Sequence, residues 1–166
     1  MAERQVLILG VGNILLADEG FGVRVIERLQ AGYEFPDSVD IVDGGVLGIN
    51  LLGVLSQADD IIVVDVVKNG RAPVTMYRID KEQIPFKIRK KDSMHQVDLP
   101  ETLTLLKAID KDPGIVILGI EPEDMETYSL EMTTTLVAKV DRMIAFVLQE
   151  LDRLNIAYRK RSEPCV

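Results

Sequence analysis

Two acids and one imidazole carry the chemistry this sequence offers. Glu19 lies in the glycine-rich stretch GVGNILLADEGFG, Gly10 to Gly22, and Asp65 interrupts the otherwise apolar run IIVVDVV, Ile61 to Val67. His95, the only histidine, stands in the polar stretch KDSMHQVDLPETL. Two carboxylates and an imidazole form an oxygen and nitrogen set suited to a divalent transition metal. Three protein ligands leave positions open for water or substrate, as a catalytic site requires. A divalent ion held there lowers the pKa of its water to about 7 and polarises a carbonyl. Each residue also has a plainer use. Asp18 or Glu19 can cap a helix, Asp65 can belong to an ion-pair network, and a loop histidine can simply face water. A carboxylate inside an apolar run still needs compensation, because an unpartnered buried charge costs several kcal/mol.

The glycines raise a competing chemistry. A Gly-x-Gly-x-x-Gly loop after a strand cradles a dinucleotide; Gly10 and Gly12 meet its first half, but the third glycine position holds Leu15. Asp18 and Glu19 then place two anions where a helix N-terminus would receive a pyrophosphate. A nucleotide-binding α/β enzyme therefore stands as one alternative, and a non-catalytic metal-dependent chaperone or binding module as another. Ser93 lies two residues from His95, too local for a nucleophile pair, and reads as a loop hydroxyl.

The elements between these residues must bring them together. QVLIL (5–9), DIIVVDVV (60–67) and GIVILGI (114–120) are short continuous apolar runs and read as buried strands. VDIVDGG (39–45) reads as a strand closing at Asp43, and VTMYRI (74–79), following Pro73, as an edge strand. Helices are predicted for GFGVRVIERLQAG (20–32), LGINLLGVLSQ (47–57), DLPETLTLLKAI (98–109) and one long stretch from about Leu130 to Leu154. Val25, Ile26 and Leu29 share the apolar face of the first; Leu136, Val140, Ile144, Val147, Leu151 and Leu154 form the stripe of the last. Asp18 is expected to cap the first helix and Gly32 to end it, with Asp98 and Pro100 opening the third. Strands alternating with helices imply a mainly parallel sheet covered on both faces. In such sheets ligands bind outside the carboxyl ends of the strands. Glu19, Asp43 and Asp65 follow or end the first three strands and are expected on that one edge. The reading is a single α/β catalytic domain over residues 1–155, with 156–166 a flexible polar tail.

Bulk properties narrow the classes. A chain of 166 residues, 47% apolar and 28% charged, is long enough to bury its own core as a monomer. A net charge of −8 argues against nucleic acid as a partner, and KIRKKD (87–92) reads as a solvated loop. The apolar runs are too short to span a bilayer and VLIL before Gly10 is too short for a secretory h-region, so no membrane and a cytoplasmic location are expected. The single cysteine, Cys165, leaves no disulfide within the chain and no cysteine-rich zinc site.

Taken together the motifs resemble one family. GVGNILLADEGFGVRVIERL is similar to the N-terminal signature of the nickel–iron hydrogenase maturation proteases, endopeptidases that trim the C-terminus of the hydrogenase large-subunit precursor. DGGVLG (43–48) resembles their second glycine-bearing block, IIVVDVV their third strand with its metal-ligand aspartate, and SMHQ their histidine loop. GIEPEDMETYSLEMTTTLVAKVDRMIAFVLQEL is similar to their C-terminal block, departing from it at Thr134. The resemblance runs in order along nearly the whole chain. It implies a three-layer α/β/α sandwich around a mainly parallel, twisted five-stranded sheet. It also implies Glu19, Asp65 and His95 as metal ligands and catalytic residues, with Asp18 and Asn13 as candidates to orient Glu19. The implied metal is nickel supplied by the substrate, for which other divalent transition metals can substitute. The implied substrate is the nickel-loaded large-subunit precursor, cut after a His or Arg near its final cysteine motif with release of a short tail. Two mechanisms fit: a metal-activated water attacks the scissile carbonyl, or the substrate's metal is gripped and so seats the bond.

Overall fold

The structure, a computed structural model, describes residues 3–45, 51–84 and 99–162. The expectations placed on 46–48, KIRKKD, Ser93, His95, the Asp98 cap and Cys165 lie outside the described residues. In chain order the elements are β1 (Val6–Val11), α1 (Phe21–Gly32), β2 (Tyr33–Glu34), β3 (Val39–Gly45), α2 (Leu51–Leu55), β4 (Asp60–Val66), β5 (Met76–Asp80), α3 (Leu99–Ala108), β6 (Gly114–Ile120), α4 (Thr134–Val137), α5 (Val140–Arg153) and β7 (Arg159–Lys160). A 3-10 turn, Ala17–Gly20, leads into α1.

The apolar runs become the sheet's interior. Five strands lie in the order β3-β1-β4-β6-β5. The first four are parallel and β5 runs antiparallel to β6 at the edge. Every residue of β1 and β4 is buried, as expected of strands covered on both faces. One face carries α1, α4 and α5: Phe21, Val25, Ile26 and Leu29 pack with Leu136, Val140, Met143, Val147 and Leu151 over Ile8, Ile62 and Leu118. On the other face Leu51, Leu55 and Leu106 of α2 and α3 cover Leu7, Leu9, Ile61, Val63 and Ile117. The three-layer α/β/α arrangement with a mainly parallel five-stranded sheet is therefore present. Among the described residues no helix is long and apolar enough to cross a membrane.

Three local readings are corrected. The long helix expected from Leu130 to Leu154 is α4, a break at Ala138 and Lys139, and then α5. Residues 130–133 stay out of the helix because Thr133, extended at φ −59° and ψ 148°, donates its N–H and hydroxyl to Asp18. Asp18 in turn does not cap α1, whose N-terminal flank is Gly20 with no side-chain cap. Toward the end of the chain, where sequence suggests a loose tail, β7 pairs antiparallel with β2. Arg159 and Arg161 both reach Glu34 there, and the Arg161 N–H donates to the Gly32 carbonyl at 2.9 Å.

Candidate active site at the carboxyl edge of the sheet

Strand register sets the level of the site. Gly10 of β1 pairs with Asp43 of β3 and with Val64 of β4, and Asp65 pairs with Gly119 of β6. Asp43 and Asp65 thus lie at the carboxyl ends of the two parallel strands that flank β1, as the alternation of elements implied. The start of α1 comes down on the same level. A Cβ on Gly22 would stand 2.2 Å from the Val64 carbonyl oxygen and 2.4 Å from that of Val11. Gly12, at φ +139°, is pressed against the Glu19 backbone, and its N–H donates to the Gly45 carbonyl at 3.0 Å. These glycines serve close packing of the Glu19 turn onto the strand ends. The turn that carries Glu19 touches β4. Both Glu19 and Asp65 are 4% exposed, and Asp65 Oδ1 accepts the Val66 N–H at 2.8 Å. His95 lies outside the described residues. Asp43 is on the edge but exposed, and its Oδ1 accepts the Gly45 N–H at 2.8 Å to close a turn of its own.

Asp18 has the deepest carboxylate of this region, fully buried. Its Oδ2 accepts the N–H groups of Glu123 at 3.0 Å and Asp124 at 2.8 Å. Its Oδ1 accepts the Thr133 N–H at 2.8 Å and the Thr133 hydroxyl at 2.9 Å. The Asp18 N–H donates back to the Asp124 carbonyl at 3.0 Å, and that of Ala17 to the Ser129 carbonyl at 3.0 Å. A nest of backbone donors that could receive a ligand anion is filled by the protein's own acid, which answers the nucleotide alternative. The turn is strained: Ala17 has φ 46°, a left-handed conformation that costs a non-glycine residue of order 1–3 kcal/mol. Asn13 serves its own loop, its Oδ1 accepting the Leu15 N–H at 3.0 Å.

A second buried acid flanks Asp65. Glu121, 3% exposed, directly follows β6 and accepts the Asn69 and Gly70 N–H groups, each at 2.9 Å, and the Tyr77 hydroxyl. It thereby ties down the loop leaving β4. Burial, reinforced by the bond to this carboxylate, pushes the Tyr77 phenol up to about 12. Glu121, Tyr77 and Thr133 were not singled out from sequence. The signal for Glu121 was there: like Asp65, it is an acid at the end of an apolar strand. By contrast, the open depression lined by Ser56, Gln57, Lys111 and Pro113 lies at the opposite, amino end of the strands and gathers none of these groups. Among the described residues no group of three or more His, Cys, Asp or Glu side chains is disposed to hold a metal.

Comparison with known proteins points one way. The model of the family HycI, described as hydrogenase maturation protease, matches residues 23–150. The chain is 38% identical over 149 residues to hydrogenase 2 maturation protease of Escherichia coli K12, covering 89% of this chain and 90% of that protein. It is 34% identical over 164 residues to hydrogenase expression/formation protein HupD of Bradyrhizobium diazoefficiens, covering 98% of this chain and 85% of that one. The solved structure of hydrogenase maturating endopeptidase HybD from E. coli matches with a TM-score of 0.90 at 35% identity, over 96% of this chain and 99% of that chain.

Proposed function

The chain belongs to the hydrogenase maturation protease family, a family of endopeptidases, and from that premise we propose that it removes a short C-terminal peptide from the nickel-loaded large-subunit precursor of a nickel–iron hydrogenase. In this reading Glu19, Asp65 and His95 grip the nickel that the precursor carries and so seat the scissile bond at the carboxyl edge of the sheet. The enzyme acts as a cytoplasmic monomer. One observation carries the reading. Asp65 and Glu121 end or follow neighbouring strands at that edge, and the turn carrying Asp18 and Glu19 packs onto it, each acid between 0 and 4% exposed. Carboxylate oxygens so placed suit a hard or borderline divalent cation as ligand and offer a phosphate no donor. The donor chemistry fits as well: two carboxylates with an imidazole suit a first-row divalent ion. Recognition through the metal also explains selectivity, because an unloaded precursor lacks the group that Glu19 and Asp65 would hold.

Mass spectrometry of the precursor, incubated with this protein with and without nickel, tests the proposal. The expected result is loss of a C-terminal peptide from the loaded precursor only. Glu19→Gln, Asp65→Asn and His95→Ala should each slow that release roughly a hundredfold while the circular dichroism spectrum is kept. Undiminished cleavage by all three folded variants would remove these residues from the reaction.

A further inference from the structure

We propose that Asp18 is a positioning residue: through Thr133 and the 123–124 backbone it holds the strained turn that presents Glu19 to the substrate's metal. The inference rests on the reading of Glu19 given above. Three observations carry it. The turn adopts a conformation that Ala17 resists, with φ 46°, so something outside it must impose the shape. The residues that impose it are 105 to 115 positions away, meeting the fully buried Asp18 carboxylate through Glu123, Asp124 and Thr133. The tie runs in both directions, since the Ala17 and Asp18 N–H groups are taken by the Ser129 and Asp124 carbonyls. Glu19 is the next residue in the chain, and its own N–H is spent on the Leu16 carbonyl at 3.0 Å inside the turn. Loosening the carboxylate clamp lets Ala17 relax toward ordinary backbone, and a rotation there swings Glu19 off the end of β4. Asp18 itself is turned toward the loop and touches no substrate in this account.

The test separates positioning from mere support of the fold. Asp18→Asn puts an amide where only acceptors fit. Thr133→Val keeps the shape of the side chain and removes only the hydroxyl donor, and Thr133→Ser restores that donor. For each variant the measurements are the affinity for nickel-loaded and for nickel-free precursor, kcat and KM for peptide release, and the melting temperature. We expect Asp18→Asn and Thr133→Val to lower the loaded-to-unloaded affinity ratio about tenfold and kcat in parallel. The nickel-free affinity should hold, and Thr133→Ser should recover the ratio. If Asp18→Asn does not fold, Thr133→Val decides. A folded Thr133→Val with the wild-type ratio and kcat, alongside a Glu19→Gln control that abolishes the ratio, overturns the positioning role alone. A Glu19→Gln control that also keeps the ratio overturns the reading of Glu19 itself, and this inference with it.

Discussion

Tyr77 and Glu121 show how a buried acid is accommodated by neutral donors among the described residues. Backbone N–H groups and a phenol supply the hydrogen bonds that water would otherwise give. The arrangement has a pH signature. Tyrosine ionises near 10 in an unfolded chain, whereas Tyr77 in the fold is pushed up to about 12. A group whose pKa is raised on folding contributes stability that is intact below its unfolded value and lost as pH rises through the folded one. Stability should therefore fall between about pH 10 and 12. An alkaline absorbance titration should show one of the four tyrosines ionising last, and Tyr77→Phe should abolish that late step. Ionisation of all four together would count against the Tyr77–Glu121 pair.

At the scale of elements, the placing of α1 on the sheet matters most, because the Glu19 turn is its leader. Gly22→Ala drives a methyl group into the carbonyl oxygens of Val64 and Val11, neither of which can yield without moving a central strand. Overpacking of this kind costs typically 1–3 kcal/mol, and urea denaturation should show a loss in that range together with impaired cleavage. Gly32→Ala, at the other end of the same helix, meets nothing within 4 Å. It should stabilise by about 0.4–1 kcal/mol and leave cleavage unchanged. The contrast separates a glycine required by close approach from one that is merely tolerated. The late start of α4 follows the same logic: sequence carries the helix back to about Leu130, but Thr133 is committed to Asp18.

For the molecule as a whole, the β2–β7 ribbon is an appendage to the main sheet, and its stability should respond to acid on its own. The Arg159 hydrogen bond holds the Glu34 carboxyl below its ordinary value. A depressed carboxylate gives stability that is present above its unfolded pKa, about 4.3, and is lost as pH falls through the lower folded value. Amide exchange at Arg161, whose N–H is held by the Gly32 carbonyl across the ribbon, should accelerate below about pH 4 while the amides of β1 and β4 stay protected. Uniform exchange across both sheets would mean that the ribbon opens only with global unfolding. Much of this architecture was legible in the chain itself. Fully apolar runs of strand length can only be interior strands, so β1, β4 and β6 stood out, as did the edge position of β5 behind Pro73. The single acid inside IIVVDVV marked Asp65 because a charge there must be compensated. Periodicity and composition act over a few residues, and for that reason they set the strands, the apolar helix faces and the edge to which Glu19 and Asp65 belong. Only the folded structure decided that Asp18 clamps a loop more than a hundred residues away, that Glu121 secures the segment after Asp65, and that the C-terminal helical stretch starts only after Thr133. Those outcomes depend on hydrogen bonds between distant segments, and no local pattern in a chain records which donors its buried carboxylates will meet.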